Sequence, residues 1–309
     1  EATSITQYGN RINALVAYFS TYQLIPLKRL GEIFADLFNR PISKASIIQV
    51  NKKTYEALET FRDAGLKYNK PYWRYIKSFY FDDGSHSSLE ESDLRWDAFS
   101  GLVYGYTGHT WFTYNTGNHP QINPALFTEE ENFYAPATEL WSITAQINKE
   151  MQNLGRAITQ LTSTDVRYIP KFKVLQPKKT SNWSFGAGDD PYIVEIRPAN
   201  DFALLDISVG FFQDDAGEHY FMLQNVSHEH GDFPLNRGGR EKIRISFDFS
   251  DAPENLSRSS LLSLNKQTGE VEELPMDFVD GNASEFEVKL EAGDPILLKY
   301  NTGSPFTIR

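Results

Sequence analysis

The hydrophobic period changes along this chain, and each period admits a different kind of element. Near the start, apolar residues recur at threes and fours: Ile12, Leu15, Val16 and Phe19, then Leu27, Leu30, Ile33, Phe34, Leu37 and Phe38 behind Pro26. That is the spacing of one helix face, with proline suited to a first turn. A third short helix is predicted after Pro41, with Ser43 as N-cap, Ile47, Ile48 and Val50 as its apolar face, and Lys52 and Lys53 beyond. Three short helices with tight turns outline a helix-turn-helix unit. From Tyr192 the period is two. The runs Tyr192–Arg197, Ala203–Phe212, Glu218–Val226, Glu241–Phe249, Ser260–Leu264, Glu285–Leu290 and Ile296–Tyr300 are separated by turn signals such as Asp215-Ala216-Gly217 and Gln267-Thr268-Gly269. Short β-rich runs at that spacing predict an antiparallel β-sandwich.

Between the two lies an alternation of both periods. A helix over Ala57–Leu66 precedes an aromatic strand, Tyr72–Phe79, set between Pro71 and the Asp82-Asp83-Gly84 turn. A helix over Glu90–Tyr104 turns Leu94, Phe99, Leu102 and Val103 to a core, His109–Tyr114 reads as a buried strand, and a long helix runs from about Tyr134 to Leu161. Strand, helix, strand, helix is the rhythm of a parallel sheet. The polar stretch Gln176–Pro191 reads as a linker. The expected fold class is multi-domain α+β. It comprises a helical segment over 1–56, an incomplete (β/α) barrel-like segment over 57–175, a linker over 176–191 and a C-terminal antiparallel sandwich over 192–309.

Composition narrows the partners. With 40% hydrophobic and 23% charged residues, the chain lies far from the composition of disorder. No apolar run approaches the roughly 18–20 residues of a membrane span, and the start at Glu1 shows no basic-then-apolar leader, so neither anchor nor signal peptide is expected. The absence of cysteine excludes disulfides, thiol nucleophiles and thiolate metal sites, and leaves the compartment undetermined. The net charge of −11 is uneven: residues 1–56 hold seven Lys+Arg against four Asp+Glu, or +3, and the rest carries −14. A phosphate backbone could be met only by the lead segment, through Arg40, Lys44, Lys52 and Lys53, and the acidic body would repel it. Nucleic acid is therefore disfavoured as a partner.

The middle and end of the chain resemble the last part of a clan-A glycoside hydrolase, a TIM-barrel enzyme of the kind that includes the family-42 β-galactosidases. The residues that carry this are Lys70-Pro71-Tyr72-Trp73-Arg74-Tyr75-Ile76-Lys77-Ser78-Phe79 as a barrel strand and Asp93 to Gly105 as its crossover helix. Gly108-His109-Thr110-Trp111-Phe112-Thr113-Tyr114 would be the eighth strand. Val209-Gly210-Phe211-Phe212, Tyr220 to Asn225 and Asp294 to Tyr300 look like the C-terminal domain of such enzymes, so the resemblance covers about residues 57–305. The first 56 residues resemble a piece of the insertion-sequence transposases of the sixty-six family, through Tyr8-Gly9-Asn10-Arg11-Ile12, Tyr22-Gln23-Leu24-Ile25-Pro26, Phe34-Ala35-Asp36-Leu37-Phe38 and Pro41-Ile42-Ser43. The acidic core that follows in those transposases is replaced here by the glycosidase-like strand.

These resemblances imply a carbohydrate-related protein without a full catalytic set. Closing a barrel takes roughly 250 residues, and 57–165 can hold about two βα units. A retaining enzyme needs an acid and a nucleophilic carboxylate roughly 5–5.5 Å apart. The first has no segment to come from, and Asp82 and Asp83 stand where turn chemistry calls for them. No catalytic residue is therefore assigned, and no cofactor or metal is expected. His228-Glu229-His230 reads as a loop before Gly231, and Glu129-Glu130-Glu131 as a solvated helix start.

By resemblance, Trp111 would be a stacking floor for a sugar, with Tyr114 and His109 adding polar contacts, set against plain packing on the covering layer. The expected function is that of a truncated, inactive glycoside hydrolase-like chimera with weak or vestigial carbohydrate binding. The alternatives are a carbohydrate-binding module through the sandwich, with Trp183, Phe185 and Tyr192, and a DNA-binding transposase fragment. Uncovered strand edges would favour a homo-oligomer.

Overall fold

The computed structural model describes residues 34, 58–79, 90–112, 126–127, 137–170, 179–199, 206–226 and 241–309. Apart from Phe34, the predicted helices of the lead segment lie outside them, as do Asp82 and Asp83, Tyr114, Glu129–Glu131 and His228–His230. The chain divides into two compact units, Glu1–Thr60 and Phe61–Arg309. The second holds nearly all of the described structure.

Helix α1 (Leu58–Tyr68) ends where Asn69 turns left-handed at φ 48°, and the Lys70 amide bonds back to the Gly65 carbonyl. The aromatic ring of Tyr72 closes over Gly65, where any side chain would collide with it. Strand β1 (Trp73–Lys77) follows, then α2 (Glu91–Val103) and β2 (Gly108–Phe112), which pairs parallel with β1. At the start of α2, the Asp93 carboxylate accepts the Glu90 amide at 2.9 Å. Helix α3 (Glu139–Ile158) completes the predicted alternation.

The remaining strands form two sheets. Strands β3 (Thr162–Ile169), β4 (Ser181–Asn182), β6 (Ile207–Gln213), β7 (His219–Asn225), β9 (Ser260–Leu264), β10 (Val271–Pro275) and β13 (Pro295–Tyr300) make a seven-stranded sheet in the order β10-β9-β13-β7-β6-β3-β4. Strands β5 (Ile193–Pro198), β8 (Glu241–Asp248), β11 (Asp277–Asp280) and β12 (Ala283–Leu290) make a four-stranded antiparallel sheet in the order β11-β12-β8-β5. Their facing residues, among them Ile196, Ile245 and Phe247 with Val209, Phe221, Leu298 and Tyr300, share one core cluster. The molecule is thus a multi-domain α+β protein with an antiparallel sandwich.

The sandwich reaches further upstream than the sequence predicts. Strand β3, expected as the tail of the barrel-like segment, pairs antiparallel with β6 over Thr162–Ile169. The described part of the expected linker is built in as well: β4 pairs with β3, and Ala187 and Asp190 are buried. Both stretches are polar, and Thr162-Ser163-Thr164-Asp165 shows no apolar alternation that would mark a strand without its partner.

Helix α2 has ten buried residues and packs on β6 and β7 as well as on β1 and β2. A helix buried nearly all round needs close backbone approach. Gly210 provides it, since a Cβ there would lie 2.1 Å from the Val103 carbonyl oxygen. Gly293, at φ 78°, does so at the other end, against the Ser92 oxygen and the Trp96 nitrogen. Between them the buried Gln224 amide donates to the carbonyls of Trp96 and Gly293, and its oxygen accepts the Ser100 hydroxyl. The strand-helix-strand unit is therefore fastened to the sandwich by satisfied polar contacts as well as by apolar area.

Candidate functional site: a neutral cleft beside the parallel strands

The parallel register sets Arg74 beside His109 and Ile76 beside Trp111, so these four residues share one face of the small sheet. That face meets the helices. The Arg74 guanidinium pairs with Asp97 of α2, Ile76 is fully buried, and both His109 and Trp111 bond to Asn148 of α3. The opposite face leaves Trp73 64% and Phe112 43% exposed. Trp73 lies over Gly108, where a Cβ would come within 2.5 Å of its indole.

The Asn148 side chain organises the covered face. The Trp111 indole N–H, which can only donate, reaches Asn148 Oδ1 at 2.9 Å, and His109 Nε2 lies 3.1 Å from the same oxygen. Because that oxygen accepts, His109 must donate from Nε2, which leaves Nδ1 as an acceptor. The two rings meet edge to face with centroids 5.2 Å apart. Burial pulls the His109 pKa down to about 4; the Asn148 bond opposes this, the Arg74 charge adds to it, and Asp97 opposes it. At neutral pH the ring is uncharged.

His109 and Asn148 line a cleft of about 320 Å³ with Leu102, Tyr106, Met151 and Ile158, and none of the described residues that line it is charged. Neither the Asn148 amide hydrogens nor His109 Nδ1 has a hydrogen-bond partner among the described residues. The cleft thus presents donors and an acceptor over an apolar floor. This pairing suits a neutral polyhydroxylated ligand, whose hydroxyls give and take hydrogen bonds at once.

A larger cavity of about 510 Å³ lies along the first half of α2 and has the opposite character. Arg95 donates at 2.5 Å to Glu150, at 2.5 Å to Asp294 and at 3.3 Å to Glu91, and Lys266 reaches Asp294 at 2.6 Å. Burial works against the Arg95 charge, but Asp294 and Glu150 outweigh it and hold its pKa above the ordinary value. These carboxylates are taken up by the Arg95 and Lys266 cations.

The pKa of the Asp190 carboxyl is shifted upward. Burial is the cause, opposed by the Ile193 and Tyr192 amides and by the Tyr300 hydroxyl. It sits inside the sandwich, 5% exposed, with Tyr300 donating at 2.8–2.9 Å. Its carboxylate is taken up by the Tyr192 and Ile193 amides and the Tyr300 hydroxyl.

The structure therefore brings two of the sequence-predicted residues, His109 and Trp111, to one partner. The half-buried Trp111 is engaged through its indole N–H, whereas the open indole of the sheet is Trp73. Of the sandwich aromatics, Trp183 and Tyr192 pack on the core and Phe185 is 67% exposed, so they form no shared platform. Asn148 went unnoticed in the sequence because a lone Asn on a helix carries no motif. Its one signal is the polar line Thr144, Asn148, Gln152 at helical spacing beside Ile147 and Met151.

No family model matches the chain, and no curated protein does. Solved glycoside hydrolases are among the structures it resembles. A family 5 glycoside hydrolase from Bacteroides vulgatus overlaps 82% of this chain at 10% identity and a TM-score of 0.37, covering 46% of that structure. A second glycoside hydrolase overlaps 86% at 13% identity and a TM-score of 0.37, covering 49%. The chain thus spans about half the length of each of these structures.

Proposed function

We propose that this chain is a carbohydrate-related, glycoside hydrolase-like protein that holds a neutral sugar in the cleft between α2, β2 and α3 and does not hydrolyse it. One observation carries the reading. Asn148 Oδ1 is saturated by Trp111 and His109, which fixes the Asn148 amide hydrogens and His109 Nδ1 as donors and acceptor at an uncharged cleft. In this reading His109 and Asn148 contact the sugar, and Trp111 positions them. The sugar contact that the resemblance assigns to Tyr114 belongs to the same proposal.

The inactive half of the proposal rests on charge. Glycoside hydrolysis needs a protonated acid and a second carboxylate at the bound sugar. Among the described residues that line this cleft there is neither, and Glu91, Glu150 and Asp294 of the larger cavity are tied to Arg95. Truncation of a parent barrel and fusion to a transposase-like lead segment belong to the same proposal and rest on the sequence resemblance alone. Titrating the chain with cello-, xylo- and galacto-oligosaccharides, with chemical shifts of the tryptophan indoles and His109 as readout, tests the binding half. Shifts of Trp111 and His109 that vanish in Asn148→Ala are expected, and a flat response to every sugar would refute the reading. Release of nitrophenol from aryl glycosides by the purified chain would refute inactivity.

A further inference from the structure

Away from the cleft, the four-stranded sheet ends on β11, whose outer edge pairs with nothing among the described residues. All four of its residues are exposed, and two adjacent ones are apolar: Phe278 at 70% and Val279 at 54%. Natural edge strands are usually guarded by lysine, proline or a covering loop, because a bare row of amides and carbonyls invites another strand. Here the guards are a register shift between Phe278 and Asp280 and two aspartates, Asp277 and Asp280, that bracket the apolar pair.

Neither aspartate forms an ion pair or a side-chain hydrogen bond among the described residues, and Asp277 lies directly opposite Glu285. The edge is therefore acidic, with uncompensated charge and an exposed apolar centre. That pattern decides between occupants. A second copy pairing antiparallel about a two-fold axis would set Asp277 against Asp280 of its partner, and like charges directly opposite repel. A strand carrying Lys or Arg three positions apart around a β-branched pair would meet both aspartates and cover Phe278 and Val279.

We propose that β11 is a docking edge for an extended basic segment of another protein, taken up by strand addition. The probe is a fluorescein-labelled peptide of sequence Ser-Lys-Val-Thr-Lys-Ser, with Ser-Glu-Val-Thr-Glu-Ser as control, titrated against the full chain by anisotropy at 20 and 300 mM salt. Saturable binding of the basic peptide is expected, weaker at high salt and absent for the acidic one. The pair Asp277→Asn with Asp280→Asn should weaken it about tenfold, from two lost cross-strand charge pairs. Phe278→Lys, an exposed substitution that should leave the fold intact by circular dichroism, should abolish it. Equal binding of both peptides, no binding, or affinity untouched by Phe278→Lys would overturn the proposal. Sedimentation showing a dimer that Phe278→Lys dissolves would overturn it in favour of a second copy.

Discussion

The two cavities beside α2 and α3 are built from the same pair of helices and differ in how fully their polar groups are spent. In the larger one, Arg95 uses all three guanidinium nitrogens on Glu91, Glu150 and Asp294, and Lys266 completes the set. Charge there is consumed in holding α2 and α3 to the turn before β13. In the smaller one no described lining residue is charged, and one acceptor serves two donors, leaving the Asn148 amide hydrogens and His109 Nδ1 without partners among the described residues. Size alone would have pointed to the larger cavity. Unspent polar capacity points to the smaller.

Removing the arginine should break that contrast most forcefully. Arg95→Met leaves Glu150, 2% exposed, without its cation and Asp294 with Lys266 alone, and a cost of about 3–5 kcal/mol in urea unfolding is expected. A loss below about 1 kcal/mol would show the ionic cavity to be dispensable. The same substitution should leave sugar-induced shifts at His109 unchanged in whatever fraction remains folded.

Gly210→Ala comes next. The new methyl would meet the Val103 carbonyl at 2.1 Å, and moving α2 off β6 should cost about 1–3 kcal/mol. Thermal unfolding reads this directly, and an unchanged midpoint would mean that α2 is not seated on the sheet as described.

The neutral cleft has a pH signature of its own. His109 titrates near 4 in the folded chain against an ordinary 6.5, so between these values the unfolded chain binds a proton that the folded chain does not. Its stabilising contribution is intact above about pH 6.5, is lost as pH falls towards 4, and levels off below. His109→Gln should flatten that part of the stability profile relative to the parent chain. A His109 resonance titrating near 6.5 by NMR would contradict the buried, neutral ring.

The smallest expected effect is Trp111→Phe. It keeps an aromatic ring but deletes the indole donor to Asn148, at a cost of about 1 kcal/mol, and should weaken sugar binding a few-fold by freeing the amide to rotate. An unchanged affinity would separate Trp111 from the site.

Much of this architecture was legible residue by residue. The run Ser260–Leu264 is β9 to the residue, and Glu90–Tyr104 differs from α2 by one residue at each end, because apolar period and caps are local signals. Strands β3, β4, β10 and β11 were missed. Their sequences are rich in Ser, Thr, Glu and Asp, and they are strands because neighbouring chain supplies their hydrogen bonds. The site divides in the same way. His109 and Trp111 stood out as chemistry-bearing residues on a strand, but their meeting point, Asn148, is 37 positions beyond Trp111 and depends on how α3 crosses the sheet. The Arg95 network joins residues 199 positions apart, at Asp294, which no local pattern can announce.

The most direct test of the central claim is a pair of titrations, wild type and Asn148→Ala, with neutral oligosaccharides and with indole and imidazole shifts as readout. Saturable shifts at His109 and Trp111 in the wild type, lost in the variant and accompanied by no reducing-sugar release, are the expected result. Binding that survives Asn148→Ala, or hydrolysis of the sugar, would contradict a silent carbohydrate site in this cleft.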